Sequence, residues 1–147
     1  MADIAGAIAA IRSRLESAWA TTPVGWPNEA RPNVTDGSGL PAPWVYAEVV
    51  WSTAGIRGVG VPGSRVVIDD GLIMLTVFVP ADEGTATAFT YAGQLGEIFR
   101  TAQFYDGEPG TAVRCQTPRV SGGDAGSDDG MWFAVTVTIP FEFWHLA

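Results

Sequence analysis

The chain has 147 residues, enough for one domain with one hydrophobic core and too few for a second. Charged residues make up 16% and hydrophobic residues 47%, with six Trp, against roughly 25% charged in an average soluble protein, so a free monomer would present a sticky exterior. The 16 acids face eight bases, every one an Arg, for a net charge of −8; phosphate binding needs clustered Lys and Arg, so the chain is a poor candidate for wrapping nucleic acid.

Ile4, Ile8, Ile11, Leu15 and Trp19 recur at helical spacing and predict an N-terminal helix with one packed face, capped by Asp3 and ended at Thr21-Thr22-Pro23. The stretch preceding Arg12 and Arg14 has no positive n-region, so no secretory signal is expected. Residues 21–43 hold five of the ten prolines together with Gly25, Gly37 and Gly39, which predicts a long irregular loop of the kind that serves binding or interfaces.

Trp44 to Ser52 alternates as a strand, and residues 53–64 read as a glycine-rich loop. Arg65–Ile68 and Leu72–Val79 flank Asp69-Asp70-Gly71, which reads as a hairpin turn between two strands. Leu72–Val79 is apolar on both faces, so both faces of that strand must be covered. It is also far shorter than the roughly 20 residues that span a bilayer.

After Pro80, Asp82 and Glu83 sit near the start of a second predicted helix, with Ala88, Ala92, Leu95 and Phe99 on its packed face and Arg100 at its end. Ala112–Gln116 reads as a short strand, 121–130 as an acidic glycine-rich loop, and Met131–Phe143 as a long strand. Pro140 argues for a sheet edge or bend within it. The expected architecture is α+β: one domain over 1–147, a mainly antiparallel sheet, and two helices packed on one face. The second face then needs a further sheet layer or a neighbouring subunit.

Chemistry is scarce. His145, the only His, lies beside the chain end, and a general base needs a fixed partner. Cys115, the only Cys, cannot form an internal disulfide and reads as a buried, inert thiol in a reducing setting. One His and one Cys cannot assemble a zinc site or a histidine-dependent triad. Asp124, Asp128 and Asp129 are the best carboxylates for a hard cation, but their spacing is not that of an EF-hand and a solvated connection explains them better. No catalytic residue, metal or cofactor is expected. Arg57 and Arg65 flank one glycine-rich loop and Arg114 and Arg119 stand before another; diluted by acids, they read as inter-subunit pairing residues.

The order of short motifs resembles one family. These are the helix Ile4–Trp19, the loop Trp26-Pro27-Asn28 to Arg31-Pro32, the strand start Pro43-Trp44-Val45-Tyr46, the segment Gly71–Pro80, the helix end Ile98-Phe99, Asp129-Gly130-Met131-Trp132, and Val135 to Phe141. Together they resemble the tail terminator or tail completion proteins of long-tailed bacteriophages and phage-like gene transfer agents. The resemblance implies a non-enzymatic virion protein, assembled in the bacterial cytoplasm and placed at the head-tail junction. It implies a homohexameric ring that caps the head-proximal end of the tail tube, ends tube polymerisation and offers a joining surface to head completion or connector proteins. DNA would cross such a ring without specific binding, which suits an acidic chain.

Scarce charge, a two-faced strand and a Pro-rich loop fit a subunit that buries much of its surface against neighbours. The residues expected at subunit or tube contacts are Trp26, Trp44, Arg57, Arg65, Arg114, Arg119, Asp124, Asp128 and Asp129, with loops 53–64 and 121–130 projecting from the sheet. Two other readings stand beside this one: a tail tube or head-tail stopper protein, and a small ligand-binding α+β domain with Trp26, Trp44 and Trp51 lining a pocket.

Overall fold

A computed structural model describes residues 2–127 and 131–147. Two helices and eight strands follow in the order α1 (Ile4–Ala18), β1 (Val24–Gly25), β2 (Trp44–Ile56), β3 (Val66–Pro80), α2 (Ala86–Phe99), β4 (Gln103–Phe104), β5 (Ala112–Cys115), β6 (Arg119–Val120), β7 (Asp124–Ser127) and β8 (Trp132–Leu146). They form one sheet in the order β1-β2-β3-β8-β5-β4, with β6 and β7 also paired to β8. The α+β class therefore holds. The sheet is mixed, however, because β1 runs parallel to β2 while the other pairs are antiparallel.

The spine is the pair β3 and β8, in register without a break from Val66↔Leu146 to Pro80↔Trp132. The Asp69-Asp70-Gly71 turn expected from sequence does not exist: all three residues continue β3, facing Phe143, Glu142 and Phe141 on β8. The physical reason lies at Gly71. A Cβ there would stand 2.7 Å from Phe141 Cζ and 2.8 Å from Val50 O, so the glycine admits a ring across the strand rather than a bend. Trp51, opposite Gly71 on β2, meets the same Phe141 ring edge to face at 5.2 Å.

The glycine-rich loop is also shorter than expected. Residues 53–56 extend β2 past an irregularity between Trp51 and Thr53, so the hairpin joins two long strands through residues 57–65. Pro140 sits inside a central strand, contrary to a simple edge position. Its carbonyl accepts the Gln116 N–H at 2.8 Å, so its ring nitrogen faces the same side, where β5 has ended at Cys115 and β6 has not yet begun. The missing donor meets a local gap in the neighbouring strands, which is how a central strand tolerates it.

Both helices bury against the same face of this sheet. Ala88, Ala92, Leu95 and Phe99 of α2 are fully buried, as their spacing predicts, and join Val45, Leu75, Val77, Val135, Val137 and Phe143 in one core. α1 is capped by Asp3, whose carboxylate accepts the Gly6 N–H at 2.7 Å, but its buried stripe is Ala7, Ile11 and Leu15 followed by Trp19. Ile4 and Ile8, expected on that stripe, are exposed; small Ala7 is the residue that lets the helix approach. α2 starts at Ala86, beyond Asp82 and Glu83, and Arg100 at its end pairs with Glu97 at 2.7 Å. Arg14 donates to the carbonyl of Ile98 at 2.8 Å, tying α1 to the end of α2.

Gly71→Ala is expected to lower the unfolding free energy by about 1–3 kcal/mol, because the new methyl overpacks against backbone and ring. Urea denaturation checks this, and an unchanged midpoint would contradict the proposed ring-over-glycine packing.

Candidate functional site

The sheet has a second face, and neither α1 nor α2 covers it. Alternation along β2, β3 and β8 turns Val45, Leu75 and Val137 toward the helices and Tyr46, Thr76 and Thr136 away from them. Along β3 the outward series is Leu72, Met74, Thr76 and Phe78, each half-buried, which is the two-sided pattern read from sequence. Successive cross-strand rows are Trp44, Phe78 and Ala134; Tyr46, Thr76 and Thr136; Glu48, Met74 and Thr138; and Val50, Leu72 and Pro140. Thr76 and Thr136 share a hydroxyl–hydroxyl hydrogen bond of 3.2 Å. Glu48 stands half-buried in the middle of this face, and Asp70 and Glu142 add two more carboxylates further along it.

The β1 end of the face carries an aromatic cluster. Trp44 stacks on Phe78 at 4.6 Å and 14°, and Trp132 meets both rings edge to face at 6.5 Å. The Pro-rich segment 26–43 folds beside this cluster, pinned at both ends. Arg12 of α1 lies 4.9 Å over the Trp26 ring and forms ion pairs with Glu29 and Glu16. Those hydrogen bonds raise the Arg12 pKa above its ordinary value and lower that of Glu29. Asp36 then closes a tight turn by accepting the N–H groups of Ser38 at 2.8 Å and Leu40 at 3.0 Å. Between loop and sheet lies a cavity of about 400 Å³ lined by Trp26, Glu29, Arg31, Pro32, Trp44, Tyr46 and Phe78, among others.

Two of the three tryptophans read as a pocket therefore meet: Trp26 and Trp44 share its wall. Trp51 does not, since it lies on the helix-covered face against Phe141 and Phe143. The four arginines do not form one patch. Arg57 and Arg65 mark the base of the exposed β2–β3 tip, at the far end of the sheet from Trp44. Arg114 on β5 covers the Trp144 ring at 4.4 Å, and Arg119 on β6 stands opposite Thr138; both are exposed. Asp124 opens β7, opposite Ala134, while Asp128 and Asp129 lie outside the described residues. Tyr46, Phe78 and Trp132 were not singled out by sequence reasoning. The signal for them was the second parity of the alternation in β2, β3 and β8, which carries five aromatics (Trp44, Tyr46, Phe78, Trp132 and Trp144) against four on the first (Trp51, Phe133, Phe141 and Phe143).

Buried indole N–H groups normally find an acceptor, because leaving one unpaired costs about 1–3 kcal/mol. Among the described residues Trp44 Nε1 and Trp144 Nε1 have none, and both side chains belong to the uncovered face. The helix-covered side, in contrast, is complete. His145, expected to fray, is held in β8: its Nε2 is 2.9 Å from Asp69 Oδ2 and its ring stacks on Phe143 at 4.6 Å. Asp69 is only 7% exposed, so this pair fixes the end of the sheet. Cys115 is buried, and desolvation pushes its thiol up to about 12, the inert state that its strand position predicts. No group of His, Cys, Asp or Glu among the described residues could hold a metal ion, and no described helix is long and apolar enough to cross a membrane.

A family model described as phage tail terminator protein matches residues 7–141, and the chain belongs to that family. No curated protein matches the chain. One solved structure superposes with a TM-score of 0.62 at 18% identity, covering 93% of this chain and 95% of that one, a likeness of fold.

His145→Ala is expected to destabilise the fold by about 1–3 kcal/mol through the orphaned Asp69 carboxylate, and Asp69→Asn added to it should cost less than the sum of the two single changes. Chemical denaturation of the four proteins measures this coupling. The Cys115 thiol is expected to resist alkylation until the chain unfolds. Its folded pKa is raised from 9.0 to about 12, so its contribution to stability is present below about pH 9 and is lost as the pH climbs toward 12. A fast thiol reaction in native buffer would contradict this.

Proposed function

We propose that this member of the phage tail terminator family acts as a non-enzymatic ring in the tail of a long-tailed phage or phage-like gene transfer agent. The ring is a homohexamer that caps the head-proximal end of the tail tube. It stops tube growth and gives head completion or connector proteins a surface to join, while DNA passes through without specific contacts. Assembly takes place in the bacterial cytoplasm.

The observation that supports this best is the uncovered sheet face. A face that leaves Leu72, Met74 and Phe78 half-buried is unfinished in a single chain. A neighbour seated on it removes apolar area from water, worth roughly 25 cal/mol per Å² before the costs of association. Copies of one chain that meet through unlike surfaces close a ring when the rotation between them is right. The net charge of −8 keeps DNA moving past such a ring.

A second reading is a tail tube subunit, and one feature favours it. The β2–β3 hairpin is long and its tip is exposed, the kind of arm by which tube subunits stack. The two readings differ in outcome, since a tube subunit polymerises without limit and a terminator forms a closed ring.

Class averages of the purified protein, alone and mixed with its tube protein, are expected to show six-fold rings, free or seated at one end of each tube. Long homopolymers would favour the tube reading, and tubes with bare ends beside monomers would overturn the terminator reading. Met74→Arg, a change at a half-buried position on the uncovered face, should leave the melting temperature within a few degrees of the parent and abolish ring formation.

A further inference from the structure

The β2–β3 hairpin ends in a tip that is apolar and unsupported. Val59 is fully exposed and Val61 is 68% exposed, with Ile56 at 55% on the approach. Exposed branched side chains at a loop end cost solubility unless something receives them. Gly58, Gly60 and Gly63 space the tip, Pro62 stiffens it, and Arg57 and Arg65 flank it. No acid occurs from residue 49 to 68, in a chain whose net charge is −8, so the tip is locally basic on an acidic molecule.

The cavity between the Pro-rich loop and the sheet has the complementary character. Its walls are Trp26, Trp44, Tyr46, Phe78 and Pro32 with Arg31 over Trp44, and carboxylates lie close by: Glu29, already paired with Arg12, on its rim and Glu48 two residues along β2 from Tyr46. Aromatic walls of this kind accept apolar side chains, and the tip presents its own on a preformed turn in which the Ser64 N–H donates to the Val61 carbonyl at 3.0 Å. Its volume of about 400 Å³ suits two or three small side chains such as Val59, Val61 and Pro62.

The tip cannot reach the cavity of its own chain. β2 starts at the cavity with Trp44 and ends at the tip with Ile56, and twelve strand steps at about 3.3 Å hold the two roughly 40 Å apart. A tip and a receptor at opposite ends of one rigid hairpin make a head-to-tail contact between copies. We propose that the 57–65 tip of each subunit docks in the aromatic cavity of the next copy, Val59, Val61 and Pro62 entering it and Arg57 and Arg65 facing the carboxylates of the receiving face. This deepens the ring reading and rests on it, since it names the contact that links neighbours.

The test uses engineered disulfides, for which the chain is well suited because its native Cys115 is buried. Val61→Cys on the tip and Ala30→Cys on the cavity wall are both at exposed positions apart from Val61's contact in the assembly, and neither change disturbs the core. Oxidation of the full-length double variant is expected to give a ladder of covalent oligomers on non-reducing gels, whereas each single variant stops at dimers. The pair Val59→Asp and Val61→Asp in one chain should raise the half-assembly concentration at least tenfold, about 1.4 kcal/mol.

Absence of the ladder in the double variant overturns the docking contact, whether or not class averages show rings. Rings without a ladder leave the ring reading standing and remove only this contact. A ladder without closed rings keeps the contact and removes the ring. Neither rings nor ladder removes both.

Discussion

The structure depends on one mismatch: the β3–β8 spine is apolar on two faces, and the chain supplies helices for only one. α1 and α2 cover Ile73, Leu75, Val77, Val135, Val137 and Ile139, all at or near zero exposure. The opposite parity receives only the 26–43 loop at one end, so Leu72, Met74 and Phe78 remain half-buried by their own neighbours. Burial of a strand on both sides is characteristic of sheets covered on both sides. Among the described residues no second layer covers that parity.

That asymmetry explains where the polar atoms go. On the helix-covered side the buried Asp69 carboxylate meets His145, because in a closed core an unpaired charge is costly. On the open side Glu48 stands half-buried beside Met74, between a row of Tyr46, Thr76 and Thr136 and a row of Val50, Leu72 and Pro140. One side of the sheet is finished by the fold, and the other leaves the Glu48 carboxylate half-buried rather than enclosed.

Most of the core was legible in the sequence because helical spacing in α2 and the alternation in β2 and β8 each pointed to one buried set, and Ala88, Ala92, Leu95 and Phe99 are that set. The failures share a cause. Asp69-Asp70-Gly71 has the local chemistry of a turn, yet fifteen continuous register pairs with β8 and the seat that Gly71 gives Phe141 hold it extended. Pro140 has the local chemistry of an edge, and the edge is real but only one gap wide, between β5 and β6. In α1 the bulky Ile4 and Ile8 matched the stripe by spacing, while small Ala7 took the buried place because α1 approaches the core closely there. In each case a tertiary contact overruled a local preference. The candidate site was legible by type rather than by place: Trp26 and Trp44 meet at one cavity, but Trp51 falls on the other face, because one residue of parity decides which side a strand residue serves.

The exclusive use of arginine has a structural role on this surface. Arg12, Arg14, Arg31 and Arg114 each lie over an aromatic ring, at 4.9, 5.2, 4.9 and 4.4 Å from Trp26, Phe104, Trp44 and Trp144. A planar, weakly hydrated guanidinium shields a ring and still presents its edge donors to carboxylates, which a compact, strongly hydrated ammonium does poorly. Half of the eight bases are spent in this way, so these rings are covered while the guanidinium edges remain able to pair. Arg114 illustrates the consequence: it lies over Trp144 on the open face, beside Glu142 across the strand, where an acidic neighbour could engage it without uncovering the ring. A chain with so few charges thus places half of its cations on rings rather than scattering them in solvent.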